Sequence, residues 1–260
     1  MNPRNVVLVE SVQNTGTWFV IEFLKKHPDV TSFMELYPVL DAHSSMKTLY
    51  DVAVADIGNE SAVSEFRESL VRLFPSDKVV VLHHHLFLRH WSTERNCWAS
   101  WDNAFGRMLG GLLPTIVPVR DPLLSLITGY RRSEDEKVEF DFDARVKDLA
   151  LMADRSWAPG DKFFFIPVDL DVGKDVRKST LASALKFMGL SYWPYVDAVA
   201  EAWTPVNSKG QYEMKQWYLD GDMKRLADRI PEAVVALQRI EGVVRPFLEG
   251  LGYANLLWWS

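Results

Sequence analysis

The chain has little that would place it in an oxidising compartment or in a membrane. Its 260 residues include a single cysteine, Cys97, so no disulfide can form within the chain. No apolar run approaches the ~20 residues that a membrane helix needs, and no basic stretch followed by an apolar segment opens the sequence as in a signal peptide. No stretch rich in Gly, Ser or Pro divides it. We therefore expect one cytoplasmic domain, residues 1–260, with no membrane span.

Basic residues are also in the minority. The 29 Lys and Arg against 35 Asp and Glu give a formal net charge of -6, with an isoelectric point near 5.6. A chain with this balance does not attract nucleic acid or an anionic membrane over a broad surface. We therefore expect no nucleic-acid partner, and any anion site must be local. The hydrophobic content of 48% is enough for a sizeable core.

Short apolar runs, the first of them β-branched, alternate with stretches of helical periodicity along the chain. The runs that predict buried strands are residues 6–10, 79–83, 115–119 and 163–168. Because helical patterns separate them, we expect an α/β fold in which helices cover both faces of a central parallel sheet, a three-layer α/β/α arrangement.

Several stretches between the strands carry further expectations. Helices are predicted after residue 16, around 63–74, over much of 91–113, and at 175–188 before Gly189. A long last helix is predicted to start at Pro231 and to kink at Pro246. Residues 29–58 show only weak periodicity, and the acidic segment 133–143 predicts an exposed loop.

The first predicted strand leads into a polar turn that is suited to an anion. Residues 10–17 read Glu-Ser-Val-Gln-Asn-Thr-Gly-Thr, and an apolar helical face starts after Gly16. Such a turn directs backbone N–H groups and the positive end of a helix dipole at one point, and Thr15 and Thr17 add hydroxyl donors. The pattern also fits an ordinary turn with a capping threonine. It is not the Walker motif, because neither Lys-Ser nor Lys-Thr follows the glycine.

Chemically versatile residues follow the other predicted strands: His83, His84 and His85 after the second, Arg120 after the third and Asp169 after the fourth. The carboxyl ends of parallel strands meet at one edge, where ligands bind. There His85 can act as a general base, and the guanidinium fork of Arg120 suits a phosphate. The alternatives are hydrogen-bonded or zinc-binding histidines, a surface ion pair of the arginine with Asp121 or another neighbour, and an aspartate that caps a turn or holds magnesium.

Taken in order, these motifs resemble those of the cytosolic-type sulfotransferases, which move a sulfuryl group from 3′-phosphoadenosine 5′-phosphosulfate (PAPS) to a hydroxyl or amine. The family's first loop, Pro-Lys-Ser-Gly-Thr-Thr-Trp, is similar to residues 13–19, Gln-Asn-Thr-Gly-Thr-Trp-Phe. A histidine before a leucine, and an arginine with a hydroxyl residue eight positions later, match His85, Arg120 and Thr128. Further similar segments are Phe187-Met188-Gly189-Leu190 and Lys209-Gly210 with Trp217.

The resemblance implies a P-loop nucleotide-hydrolase-like fold and in-line transfer that leaves 3′,5′-adenosine bisphosphate (PAP), with no metal. It implies that the 5′-phosphosulfate and adenine are held by Gln13, Asn14, Thr15, Gly16, Thr17, Trp18 and Phe19. It likewise implies that the 3′-phosphate is held by Arg120, Thr128, Lys209 and Gly210, with His85 as the catalytic base. The partner is a small-molecule acceptor, for which Trp91, Trp98 and Trp101 offer an apolar, aromatic wall unless they belong to the core.

The chain also departs from the family pattern. Asn14, the second catalytic position, stands where the family has a lysine that contacts the bridging oxygen of the phosphosulfate. One threonine is missing as well, so either Trp18 or Phe19 takes the place of the adenine-stacking tryptophan. Two other functions therefore stay open. One is a non-catalytic protein that binds PAP or PAPS, and the other is a metal-dependent small-molecule kinase with Asp121 or Asp169 on magnesium.

Overall fold

The structure is a computed structural model that describes residues 6–10, 16–35, 40–56, 59–73, 78–84, 114–136, 140–154, 163–169, 173–202, 228 and 230–260. Within these residues, five strands form one sheet: β1 (Val6–Glu10), β2 (Val30–Glu35), β3 (Val79–His84), β4 (Thr115–Val119) and β5 (Phe163–Pro167). Their order is β2-β3-β1-β4-β5, and every neighbouring pair is parallel. The predicted α/β class with a parallel sheet is therefore confirmed.

The described helices lie between and after these strands. They are α1 (Thr17–Lys25), α2 (Ser44–Ala55), α3 (Glu60–Arg72), α4 (Pro122–Glu136), α5 (Phe142–Ala153), α6 (Lys174–Phe187), α7 (Tyr195–Ala202), α8 (Pro231–Gln238) and α9 (Glu241–Gly250). Proline is the first residue of α4 and α8, where no N–H is needed. The left-handed Gly189, with φ 74°, follows the end of α6. None of the helices described is long and apolar enough to cross a bilayer.

Helices pack on both faces of the sheet. On one face, Val7, Val9 and Val81 pack with apolar residues of α1, α6 and α7. Successive strand residues point to opposite faces, and Leu8 and Leu82 pack with α2 and α3 on the other side. On that second face, residues of β4 pack with α4, α5, α8 and α9. This arrangement is compatible with the predicted three layers.

The four predicted strands and the helix that follows Gly16 are all present, with ends that differ by one residue at most. The prediction missed β2 and α2, which occupy the stretch of weak periodicity. Among the described strands, β2 is an outermost one, and it pairs only with β3. An edge strand needs no continuous apolar run, so its sequence resembles that of a loop.

Two predictions about helices are wrong. The acidic segment 133–143 is not one exposed loop, because α4 continues to Glu136 and Ser133 is buried, with its hydroxyl donating to the carbonyl of Tyr130 at 2.5 Å. The long last helix is two helices, α8 and α9, and Pro246 lies inside the second. The break is at Ile240, whose φ of -109° and ψ of 5° leave the helical region while its side chain packs on the core. The predicted helix within 91–113 lies outside the described residues.

Candidate functional site

Gly16 ends the turn between β1 and α1 and has a conformation that suits glycine. Its φ of 81° and ψ of 24° are left-handed, and its carbonyl accepts the N–H of Phe19 at 3.0 Å. A Cβ at this position would lie 2.6 Å from Cγ2 of Val168, the residue that follows β5. Gly16 therefore packs against the carboxyl end of β5, and both the dihedral angles and the close contact require glycine.

Two residues after Gly16 are buried in the structure. Thr17, the first residue of α1, is 6% exposed, and Phe19 is also 6% exposed within the apolar cluster that α1 forms with the sheet. A ring that is packed in the core cannot stack on a base. The burial of Phe19 therefore argues against the alignment in which Phe19 stacks on the adenine. In the other alignment the stacking residue is Trp18, whose backbone belongs to α1.

Arg120 lies directly after β4 and is 3% exposed. Its Nε is 3.9 Å from Oδ2 of Asp169, whose side chain is 4% exposed. The alternative of a surface ion pair, with Asp121 or another neighbour, is therefore wrong, because Arg120 is buried and lies beside a buried aspartate from the neighbouring strand end. This pair confirms that residues after β4 and β5 meet at the carboxyl edge of the sheet.

The carboxylate of Asp169 also has two hydrogen-bond partners. Its Oδ2 accepts the backbone N–H of Asp121 at 2.9 Å, and its Oδ1 accepts the hydroxyl of Tyr253. The same hydroxyl lies 3.1 Å from the carbonyl oxygen of Val119, the last residue of β4. Asp169 therefore holds the junction between β4 and α4.

Asp121 forms the other half of this network. Its Oδ1 accepts the N–H of Leu123 at 2.9 Å, which caps the start of α4, and the indole N–H of Trp258 at 3.2 Å. Trp258 is fully buried. The residues Arg120, Asp121, Asp169, Tyr253 and Trp258 are called the strand-end cluster below.

Sequence reasoning missed Tyr253 and Trp258. They lie 84 and 137 residues from their aspartate partners along the chain, so no local spacing connects them. The only available signal is that both are aromatic residues with a polar hydrogen, a type that is usually hydrogen-bonded when buried.

Burial governs the ionisation of both aspartates. It raises the pKa of Asp121 to about 7, and the nearby charge of Asp169 adds to the increase. Burial also raises the pKa of Asp169, against the opposing effects of the Arg120 charge and the Tyr253 hydrogen bond. One guanidinium thus faces two carboxyl groups, and Asp121 changes charge near neutral pH.

The other candidate positions are spread over the described and undescribed residues. His83 is buried in β3, and His84 ends that strand opposite Glu10 of β1. Thr128 lies on α4, where its hydroxyl donates to the carbonyl of Leu124 at 2.7 Å. Outside the described residues lie Gln13, Asn14, Thr15, His85, Lys209 and Gly210, together with Trp91, Trp98 and Trp101. That Lys209 converges on Arg120, and that His85 lies near the loop before Gly16, stay predictions.

Among the residues that the structure describes, no group of three or more His, Cys, Asp or Glu side chains could hold a metal ion. The pair Asp121 and Asp169 is directed instead at backbone, tyrosine and indole donors. The sequence matches no protein-family model and no curated protein. The case for a function therefore has to come from the residues and the geometry of this edge.

Proposed function

We propose that the protein binds PAPS and PAP at the carboxyl edge of its sheet and transfers the sulfuryl group to a small-molecule acceptor. The first support is the position of the Gly16 turn. From β1 the chain moves to β2 and β3 on one side, and later to β4 and β5 on the other. Such a reversal of strand order leaves a crevice at the strands' carboxyl ends, which is where ligands bind in open α/β sheets.

The observation that carries the proposal is the proximity of the Gly16 turn and Arg120. Val168 lies 2.6 Å from the point that a Cβ on Gly16 would occupy. The next residue, Asp169, lies 3.9 Å from Nε of Arg120. The residue before a helix N-terminus and a buried arginine are thus each next to one of two consecutive residues, Val168 and Asp169. A nucleotide with two separate phosphate groups needs two such anion sites, one with backbone N–H donors and one with a planar fork.

In this proposal the fold is P-loop-like, and each candidate residue has one task. The N–H groups of residues 15–17 hold the 5′-phosphosulfate, with Gln13 and Asn14 in the same loop and Trp18 at the adenine. Arg120, Thr128, Lys209 and Gly210 hold the 3′-phosphate. The acceptor oxygen forms a bond to sulfur while the bond from sulfur to the phosphate oxygen breaks, and PAP leaves. His85 takes the acceptor proton, and the amide of Asn14 donates a hydrogen bond at the leaving oxygen.

The test is a calorimetric comparison of PAP, 5′-AMP and ATP with magnesium. We expect the protein to prefer PAP, because only PAP has a 3′-phosphate. Arg120→Ala should weaken PAP binding by about 1.5–3 kcal/mol, the contribution of a charge-assisted hydrogen bond, and leave 5′-AMP binding unchanged. Arg239→Ala is the matched control, since Arg239 is an exposed arginine that pairs with Asp143 at 3.1 Å.

Calorimetry combined with an assay of PAP release from PAPS separates the three candidate functions. Binding of ATP with magnesium in preference to PAP would favour the kinase and contradict the proposal. PAP binding without release of PAP from PAPS, in the presence of phenols and amines, would favour the non-catalytic binding protein. Arg120→Lys is the second variant, because it keeps a charge beside Asp169 if the alanine variant does not fold.

A further inference from the structure

The last ten residues fold back on the strand-end cluster. Tyr253 is 2% exposed and Trp258 is fully buried, and each contacts a different aspartate of the cluster. Two left-handed residues shape this segment, Gly252 with φ 96° and Asn255 with φ 54°. The N–H of Tyr253 also bonds to the carbonyl of Leu248 in α9 at 3.0 Å. The C-terminal segment, residues 251–260, is therefore anchored both to its own helix and to the end of β4.

Asp169 is held at both of its oxygens. Oδ1 accepts the Tyr253 hydroxyl, while Oδ2 accepts the N–H of Asp121 and lies 3.9 Å from Nε of Arg120. A buried carboxylate without such partners would turn to find them, or become protonated. The direction in which Asp169 attracts Arg120 thus depends on a tyrosine from the far end of the chain.

A guanidinium can contact two anions at once, because its five N–H donors lie in one plane and point to different sides. The carboxylate of Asp169 lies 3.9 Å from Nε, too far for a hydrogen bond, but its charge attracts the guanidinium and so restricts where the side chain lies. If the guanidinium is not held in this way, the side chain loses rotational freedom when the anion binds, which weakens binding.

We propose that Asp169 and Tyr253 are positioning residues for Arg120, through which the C-terminal segment takes part in recognising the 3′-phosphate of the nucleotide. This inference rests on the proposed function. It adds two residues and a segment that the motif comparison with the sulfotransferases did not include.

The test uses Tyr253→Phe, which removes one hydroxyl and keeps the ring. The quantity to measure by calorimetry is the ratio of the dissociation constants of 5′-AMP and PAP, which reports on the 3′-phosphate alone. We expect this ratio to fall about 5-fold to 10-fold, as for the loss of one ordinary hydrogen bond, while 5′-AMP affinity stays the same. A purely structural role would weaken both ligands equally, and that result would overturn the proposal.

Tyr192→Phe is the matched control. The Tyr192 hydroxyl also donates to an aspartate, Asp197, at 2.7 Å, but this tyrosine is 49% exposed and is on another part of the surface. In Tyr192→Phe, the ratio of the 5′-AMP and PAP dissociation constants should equal that of the wild type. Asp169→Asn is the second variant, and it should lower the ratio as well, since an amide does not attract the guanidinium. An unchanged or raised ratio in Asp169→Asn would contradict the proposal.

A double-mutant cycle identifies Arg120 as the intermediary. In an Arg120→Lys background, Tyr253→Phe should change the ratio less than 2-fold, because the planar fork that it positions is no longer present. A full additional decrease would show that Tyr253 acts by another route and would overturn the inference. If the wild type binds PAP no better than 5′-AMP, the proposed function itself fails, a result that does not depend on the variants.

Discussion

The β1–β3 side of the sheet and the β4–β5 side bury different chemistry. On the first side, residues 6–9 and 79–82 are all apolar and buried, and α1 and α3 cover them with further apolar residues. On the second side, the chain buries a guanidinium and two carboxyl groups directly after the strands. A further buried carboxyl group, that of Asp148, lies on α5, which packs on this side as well.

The difference shows how each side obtains its stability. Burial of apolar surface has no preferred direction, so the first side, apart from the buried imidazole of His83 in β3, needs only residues of suitable size at the correct period. Buried charges are tolerated only with partners in defined positions. On the second side those partners come from residues 253 and 258, so its geometry depends on the C-terminal segment.

The largest difference between the sides should be in their response to pH. The pKa of Asp121 is raised from an ordinary 3.8 to about 7. At a pH between these two values, the carboxyl group is therefore protonated in the folded protein and ionised in the unfolded chain. The stability that this group contributes is fully present below its unfolded pKa, and it is lost as the pH rises through its folded pKa. The full difference corresponds to at most about 4 kcal/mol.

We therefore expect Asp121→Asn to flatten the pH dependence of the free energy of unfolding between pH 4 and 8. Asparagine keeps an oxygen for the N–H of Leu123 and the indole of Trp258 and does not titrate. Urea denaturation at five pH values measures the slope. The control is Asp51→Asn, since Asp51 is exposed and pairs only at the surface with Lys47 among the described contacts. An equal slope in Asp121→Asn and the wild type would show that burial does not control this carboxyl group.

The contact between Gly16 and Val168 joins the two sides, and Gly16→Ala should weaken it. The left-handed backbone costs alanine about 1–2 kcal/mol, and the added methyl group would meet Val168 at 2.6 Å, for a total of about 2–4 kcal/mol. Gly189→Ala is the matched control, because Gly189 has a similar φ of 74° with no atom within 4 Å of the added Cβ. Gly189→Ala should therefore lower the free energy of unfolding only by the cost of the left-handed backbone.

The free energies of unfolding of the same glycine variants, measured in a Val168→Ala background, separate the cost of the left-handed backbone from the cost of the contact with Val168. With the valine methyl groups removed, Gly16→Ala should cost no more than Gly189→Ala. A full loss in this background would show that the contact between the sides is not responsible, and that the backbone angle alone requires glycine.

The sequence was sufficient for the parts of the fold that depend on local pattern. Continuous apolar runs identified β1, β3 and β4, which lie between other strands and have few polar residues, and the aromatic run identified β5, which is an outermost and partly exposed strand of the described sheet. The polar edge strand β2 gave no such signal. The break between α8 and α9 was missed because Ile240 fits the apolar period of a continuous helix although its backbone does not.

The candidate site divides in the same way. Gly16, Arg120 and Asp169 were found because each follows a strand, and residues at parallel strand ends meet at one edge. The pairing of Arg120 with Asp169 rather than Asp121 was not predictable, since it depends on burial and on a tyrosine 84 residues further along the chain. Tyr253 therefore required the three-dimensional structure.

The smallest predicted effect concerns a local signal on the apolar side. Asn59 is the N-cap of α3, and its side chain accepts the N–H of Ala62 at 3.1 Å. Because α3 packs Phe66 and Leu70 on the β1–β3 side, loss of the cap should destabilise this side without a change in pH dependence. We expect Asn59→Ala to lower the free energy of unfolding by about 1 kcal/mol at both pH 5 and pH 8.

His43→Ala is the matched control for the cap, because His43 occupies the N-cap of α2, which packs on the same side, but makes no capping hydrogen bond with its side chain. It should change the stability by less than about 0.5 kcal/mol. A loss in Asn59→Ala that grows between pH 5 and pH 8 would mean that the strand-end cluster responds to a change on α3. The two sides would then be energetically coupled through the sheet, whereas equal losses at both pH values indicate that the apolar side is stabilised independently of the charges at the ends of β4 and β5.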